Sequence, residues 1–389
     1  MAGLLICRSN RLRIISHNLS YADCLLTINN NKNNVVEKSP ASASTLAARI
    51  TAEGFCSPDL FVQRIDPLAK TALILRMSAE AYRATSFLDD RLLAHTPDGF
   101  VMPYDHLVRW VHAITAPPQP LHFIFHAGRV GSTLLSRLIE EAVGVLALRE
   151  PPTLRTLAML HDALTYPKPT FSGAEFDAWL GTQMRLWRRG YDDTRCVVVK
   201  ATSDTARIGQ NLMQAAPDAN AILLNQSAES YVAMNSSASS LPDLHSKASE
   251  RAERLSRMLG ALETPRTTGE IAAMSWLAEH LTQERLSHPW PNRTLRLDFD
   301  DFLAEPNLHL KAVFHHLGLD APAALVENAA AHPLMRQYSK NPDQPYSSAE
   351  RAQRLQHARR DNAEEIRRGL AWLDRVARAH PRAAAALAA

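Results

Sequence analysis

The sequence predicts an α/β fold: a mostly parallel sheet between two layers of helices, a three-layer α/β/α arrangement. Two observations predict it. Short continuous apolar runs recur at "LHFIF", "GVLAL", "CVVVK", "AILLN" and "TLRLDF". Helical patterns fall between them, among them "GAEFDAWLGTQMRLWRR", "ARIGQNLMQAA" and "IAAMSWLAEHLTQERL". Strands that are apolar on both faces and alternate with helices belong in a parallel sheet covered on both sides. A third observation locates the point of interest. The stretch "FIFHAGRVGSTLLSRLIEEA", Phe123 to Ala142, runs from apolar strand through a Gly-containing turn into an amphipathic helix, the layout of a phosphate-binding loop.

Composition bounds the rest. A chain of 389 residues can bury one large core or two moderate ones. Hydrophobic residues make up 46% and charged residues 21%, ordinary values for a soluble globular protein. The formal net charge is only +3, which argues against a nucleic-acid partner that would need a strong basic field. Cys7, Cys24, Cys56 and Cys196 form no CxxC pair, so reduced thiols in a cytoplasmic protein are expected in place of a disulfide framework or zinc site. No apolar run reaches the ~20 residues of a membrane span, and "MAGLLICRSNRLRII" lacks the pattern of a signal peptide.

In chain order, residues 1–46 include "TINNNKNNVVEKSPASAS", too poor in large apolar groups to pack stably. Residues 47–117 read as an α/β extension, with a strand-like run from Thr71 to Ser78. "AEAYRATSFLDDRLL" follows with helical spacing of Tyr82, Phe87 and Leu88. "ITAPPQP", Ile114 to Pro120, is a breaker-rich linker. The main domain spans 118–345. Residues 346–389 form a helical tail whose arginines interleave with acids, the pattern of a solvated face. Trp179, Trp187 and Trp276 lie within helical patterns and are expected in the core. His315, His316 and His309 match no metal motif.

The loop itself suggests chemistry. Gly128 and Gly131 permit tight backbone geometry. Leu134, Leu135, Leu138, Ile139 and Ala142 make a stripe that can dock on a sheet. The free N–H groups of the first helical turn, with the helix dipole behind them, can hold an anion. Ser132 and Thr133 add hydroxyl donors and Arg129 a cation. A triphosphate loop needs Lys where Ser132 stands, and "GVLALRE" and "AILLNQ" offer no magnesium aspartate. The expectation is an anion handled without a metal.

"HAGRVGSTLLSRLI" resembles the 5′-phosphosulfate loop of sulfotransferases, with Arg129 as its basic residue and Ser132 and Thr133 as its hydroxyl pair. Far downstream, "LDFDDFLAEPNLHLKAVFHHLGLD" is similar to the same family's tyrosine-acid-acid-leucine, Asp-Pro, helix, leucine-glycine-leucine signature. Phe299 stands in place of the tyrosine, while Asp300, Asp301, Pro306, Leu317, Gly318 and Leu319 fit. The resemblance covers about residues 121–345. It implies a P-loop NTPase-like fold and 3′-phosphoadenosine 5′-phosphosulfate (PAPS) as co-substrate, bound by Gly128, Arg129, Val130, Gly131, Ser132 and Thr133. The sulfuryl group would pass to a hydroxyl or amine on a small-molecule, carbohydrate or peptide acceptor.

Other residues follow from that resemblance. Lys200 in "VVVKATS" matches a donor-binding lysine, and Thr202 stands where cytosolic members have a catalytic histidine. Carbohydrate and tyrosine sulfotransferases place a Glu after the second strand. "GVLALREPP" puts Glu150 there as general base, with His126 in reserve. For the 3′-phosphate, Asn225 and Ala233 occupy the positions of the usual Arg and Ser. The missing charge is sought in "MRQYSKNPDQPYSSAERAQR", at Arg336, Lys340 and Arg351. Two alternatives remain: a non-catalytic nucleotide-binding relative, favoured by Asn225 and Ala233, and a P-loop kinase, disfavoured by Ser132. The acceptor is not legible, and a homodimer is compatible with the sequence.

Overall fold

A computed structural model describes residues 55–94, 98–339 and 347–388. The segment 1–46 and Lys340 lie outside the described residues. All five apolar runs form strands: β4 (Leu121–His126), β5 (Val145–Arg149), β6 (Cys196–Lys200), β7 (Ala221–Asn225) and β8 (Thr294–Asp298), after three earlier strands described below. They pair in parallel in the order β5-β6-β4-β7-β8. The loop-bearing strand β4 is thus central, and its Ile124 lies opposite both Lys200 and Ile222.

Strand side chains alternate between two cores, as the period of two requires. Phe123, Phe125, Leu146, Leu148, Val197, Val199 and Leu223 face one core, shared with helices Pro152–Ala163 and Gly173–Trp187. Ile124, Val145, Val198, Ile222, Leu224 and Leu297 face the other, covered by helices Ser132–Glu140 and Pro306–Leu317. Both faces of the inner strands are covered, which is why they read as apolar runs, whereas the edge strand β8 leaves Arg296 exposed. Trp179 and Trp187 are buried in the first core and Trp276 in a third cluster of helices.

The 47–117 region contains more strand than the sequence suggested. β1 (Leu60–Asp66), β2 (Thr71–Arg76) and β3 (Gly99–Pro103) form an antiparallel sheet in that order. The helix expected through Leu88 stops at Ala84. Buried Arg149 donates to the carbonyls of Tyr82 (2.8 Å) and Thr85 (2.9 Å), and Leu88 N–H donates to the Arg149 carbonyl (2.7 Å). These bonds satisfy the helix end and turn the chain toward β5.

The tail is less solvated than its arginines implied. Helix Ala363–Ala379 packs on helix Thr268–Ser287 with Trp372 fully buried. At the crossing a Cβ on Gly369 would lie 2.6 Å from the Gly269 carbonyl oxygen, so the two backbones nearly touch. Among the described residues no helix is long and apolar enough to cross a membrane. Nor is any group of three or more His, Cys, Asp or Glu placed there to hold a metal ion.

Burial sets a pH limit on this fold. His122 accepts a hydrogen bond from Asn220 N–H (3.1 Å), and burial lowers its pKa from 6.5 to about 4, against the opposing pull of Asp218. Burial pushes His161, His280 and His316 the same way. Between pH 6.5 and 4 the unfolded chain binds a proton at His122 that the folded ring refuses, so stability falls as pH drops through that window. The expected loss from His122 is about 3 kcal/mol at most. Urea denaturation at pH 7 and pH 5 checks this, and His122→Gln should flatten the difference.

Candidate anion site at the carboxyl edge of the sheet

Strand β4 delivers the chain into the loop Ala127–Gly131. His126 braces the loop from beneath. Its Nδ1 accepts from Gly128 N–H (3.1 Å), so Nε2 carries the hydrogen and donates to the Ala201 carbonyl (2.8 Å). Both ring nitrogens are engaged in holding the loop to β6, which leaves the reserve base nothing with which to accept a substrate proton. Gly128, Arg129 and Gly131 all have positive φ, at 98°, 56° and 69°. For Arg129 that conformation costs on the order of 1 kcal/mol, and such outliers cluster where a ligand is gripped. Val130 is fully buried and pins the loop into the second core.

Helix Ser132–Glu140 starts directly after Gly131, with no side-chain cap and no acid in its first turn. Its terminal N–H groups are therefore open to an anion. Thr133 is 3% exposed, and its hydroxyl has no hydrogen-bond partner among the described residues. A buried hydroxyl left unpaired beside open N–H groups is a costly arrangement unless a ligand completes it.

Gly131 is required by contact as well as by φ. A Cβ there would lie 1.9 Å from Cε2 of Phe299. Gly131→Ala must displace either the ring or the loop. It is expected to destabilise the fold by about 1–3 kcal/mol and to abolish anion binding, as chemical denaturation with and without ligand would show.

Glu150 and Lys200 meet at the adjoining strand ends. Glu150 follows β5 with φ 57°, and its N–H donates to the Lys200 carbonyl (2.7 Å). This left-handed kink turns the carboxylate back onto the Lys200 ammonium, and the two form an ion pair. Lys200 is fully buried, with its ammonium 5.5 Å from the centre of the Phe87 ring. Burial pushes the Lys200 pKa down while Glu150 opposes the shift. Arg149 is occupied by Glu140, and Arg155 lies 3.9 Å from Asp204, so neither holds Glu150.

Glu150, but neither Lys200 behind it nor Gly128, lies on the lining of a cleft of about 720 Å³, within the range of small-molecule sites. Arg129 to Leu134 line it, with Glu150 and Phe299. Ser237 to Ser239 and Tyr338 line it too, as do Arg351, Arg354, His357 and Asp361 of helix Ser348–Asp361. The Arg129 guanidinium lies 3.4 Å from the Ser239 carbonyl.

Several residues named from the sequence are placed elsewhere. Asn225 is not on the cleft lining; its Nδ2 lies 3.1 Å from His280 Nδ1 and its Oδ1 takes the Gln226 N–H. Ala233 is fully buried, its carbonyl accepting from Asn362 Nδ2 (3.1 Å). Arg336 is exposed on the short turn Pro333–Arg336, away from the lining. Arg354 and His357 were missed. Arg351, Arg354 and His357 recur every three residues on one helical face, a signal present in "RAQRLQH" but masked by the charged surroundings.

The downstream motif resolves into structural parts. The Asp298 side chain caps the next helix through Asp300 N–H (2.7 Å) and Asp301 N–H (3.3 Å). Pro306 opens helix Pro306–Leu317, and Gly318 closes it with φ 66°. Leu319 N–H then returns to the Phe314 carbonyl (3.0 Å), a left-handed helix cap.

No protein-family model and no curated protein matches the chain. Solved structures do resemble it. A sulfotransferase from Mycobacterium avium is 13% identical at TM-score 0.38, with 86% of this chain and 98% of that one covered. The sulfotransferase domain of the Synechococcus olefin synthase is 16% identical at TM-score 0.36, covering 62% and 94%. A sulfotransferase from Alicyclobacillus acidocaldarius is 14% identical at TM-score 0.35, covering 66% and 96%. These structural neighbours are all sulfotransferases. At such identities and scores, functional conclusions rest on the chain's own residues.

Proposed function

We propose that the cleft binds PAPS and that the protein transfers its sulfuryl group to a hydroxyl or amine acceptor. The observation that carries this reading is the uncapped N-terminus of helix Ser132–Glu140 on the cleft lining, with its open N–H groups beside the unpaired, buried Thr133 hydroxyl. That donor set fits a terminal anion. PAPS would supply an activated sulfuryl group held on a phosphate. The loop N–H groups, Ser132, Thr133 and Arg129 neutralise charge on the departing phosphate oxygen; Arg129 acts as a fixed cation, since a guanidinium is a poor proton donor. Glu150, on the next strand but one, takes the proton of the acceptor. Arg354 and His357, also on the cleft lining, would meet the second phosphate in place of Asn225 and Arg336.

The test is transfer itself. Protein incubated with sulfur-labelled PAPS, a chelator and a panel of alcohols, phenols and amines should release adenosine 3′,5′-bisphosphate and label an acceptor. One observation favours a second reading, a nucleotide-binding protein without catalysis: Asn225 is consumed by His280 and Ala233 is buried. Binding of the bisphosphate without label transfer to any acceptor would support that reading over the first.

A further inference from the structure

We infer that Arg351 is a positioning residue that holds the anion loop in shape through Phe299, joining helix Ser348–Asp361 and the loop into one mechanical unit. Arg351 is 4% exposed although it carries a full charge. Its Nε and Nη2 donate to Asp300 Oδ1 at 3.1 and 2.8 Å, and Nη2 also donates to Gln226 Oε1 at 3.1 Å. The other carboxylate oxygen of Asp300 accepts from Ser230 (3.3 Å). The guanidinium is therefore tied to the ends of β7 and β8 at once.

Its flat face has a second use. The guanidinium carbon lies 4.4 Å from the centre of the Phe299 ring, a cation–π distance. The same ring fills the space where a side chain on Gly131 would stand. A continuous line of contact thus runs from Asp300 through Arg351 and Phe299 to Gly131. The loop residues at its end hold left-handed conformations that persist only under outside support. Phe299 is that support, and Arg351 keeps it there. Lysine could replace the charge but not the planar stack or the fork on Asp300 and Gln226.

This assignment differs from a role for Arg351 as a direct ligand of the second phosphate, and the difference is measurable. Amide hydrogen exchange of residues 127–135 and dissociation constants for adenosine 5′-monophosphate and adenosine 3′,5′-bisphosphate are compared in the wild type, Arg351→Met, Arg351→Lys, Asp300→Asn and the Arg351→Met/Asp300→Asn double variant. Arg351→Met should speed loop exchange at least ~10-fold and weaken both nucleotides by the same factor, about 10-fold, while β1 to β3 exchange as before. Arg351→Lys should restore part of the affinity, and the double variant should be no worse than the poorer single one. Unchanged loop exchange, or a loss confined to the bisphosphate, overturns the inference. The nucleotide comparison rests on the proposed function, but the exchange measurement does not. A wild type that binds neither nucleotide sinks that function and still leaves loop exchange to decide the role of Arg351. If Arg351→Met does not fold, Arg351→Lys and Asp300→Asn give the same readout.

Discussion

Arg129→Ala is expected to lower turnover by about 10²- to 10³-fold, the scale for removing one preorganised charge-stabilising group. The side chain sits on the loop, lines the cleft and, among the described residues, makes one hydrogen-bond contact, at 3.4 Å to the Ser239 carbonyl, while its charge also acts on Asp243. Little packing is lost with it. Alanine keeps the same left-handed backbone penalty that arginine carries at φ 56°. The unfolding free energy should therefore move by less than ~0.5 kcal/mol. Arg129→Lys should recover part of the rate by keeping the charge. Steady-state kinetics beside urea denaturation would separate the two effects, and a variant with wild-type turnover would remove Arg129 from the mechanism.

Glu150→Gln should lower turnover by ~10²-fold or more, because the amide keeps the shape and loses the proton acceptor. Its ion pair adds a second consequence. The substitution leaves the fully buried Lys200 ammonium facing a neutral group. Breaking such a pair costs on the order of 3 kcal/mol. Lys200→Met should destabilise in the same way by stranding the carboxylate. The Glu150→Gln/Lys200→Met double variant removes both charges and should regain most of the stability while remaining inactive. Recovery of both stability and turnover in the double variant would reduce Glu150 to a partner of Lys200.

The central sheet was legible because parallel strands buried on both faces are continuously apolar, and the short apolar runs "CVVVK" and "AILLN" alternate with helical patterns. The loop was legible because Gly128 and Gly131 stand between such a strand and a leucine-striped helix. What escaped depends on partners distant in sequence. The helix from Ala79 ends early because Arg149, 64 residues beyond Thr85, takes its last carbonyls. Arg351 reads as a candidate phosphate ligand until Asp300, 51 residues earlier, engages its guanidinium. Asn225 sits at the right strand end, but His280 on another helix claims its side chain. β1 escaped for a local reason as well: a bulge between Val62 and Arg64 breaks the alternation that would have marked it.

The central claim is that one cleft holds an anion on the loop Gly128–Thr133 and a second phosphate against helix Ser348–Asp361. Calorimetric titration of the wild type with adenosine 3′,5′-bisphosphate and with adenosine 5′-monophosphate tests it most directly. The bisphosphate should bind more tightly by ~1.5–3 kcal/mol, the scale of a hydrogen bond to a charged group, and Arg354→Ala should erase most of that margin. Equal affinity for the two nucleotides, or no binding of either, would contradict the account.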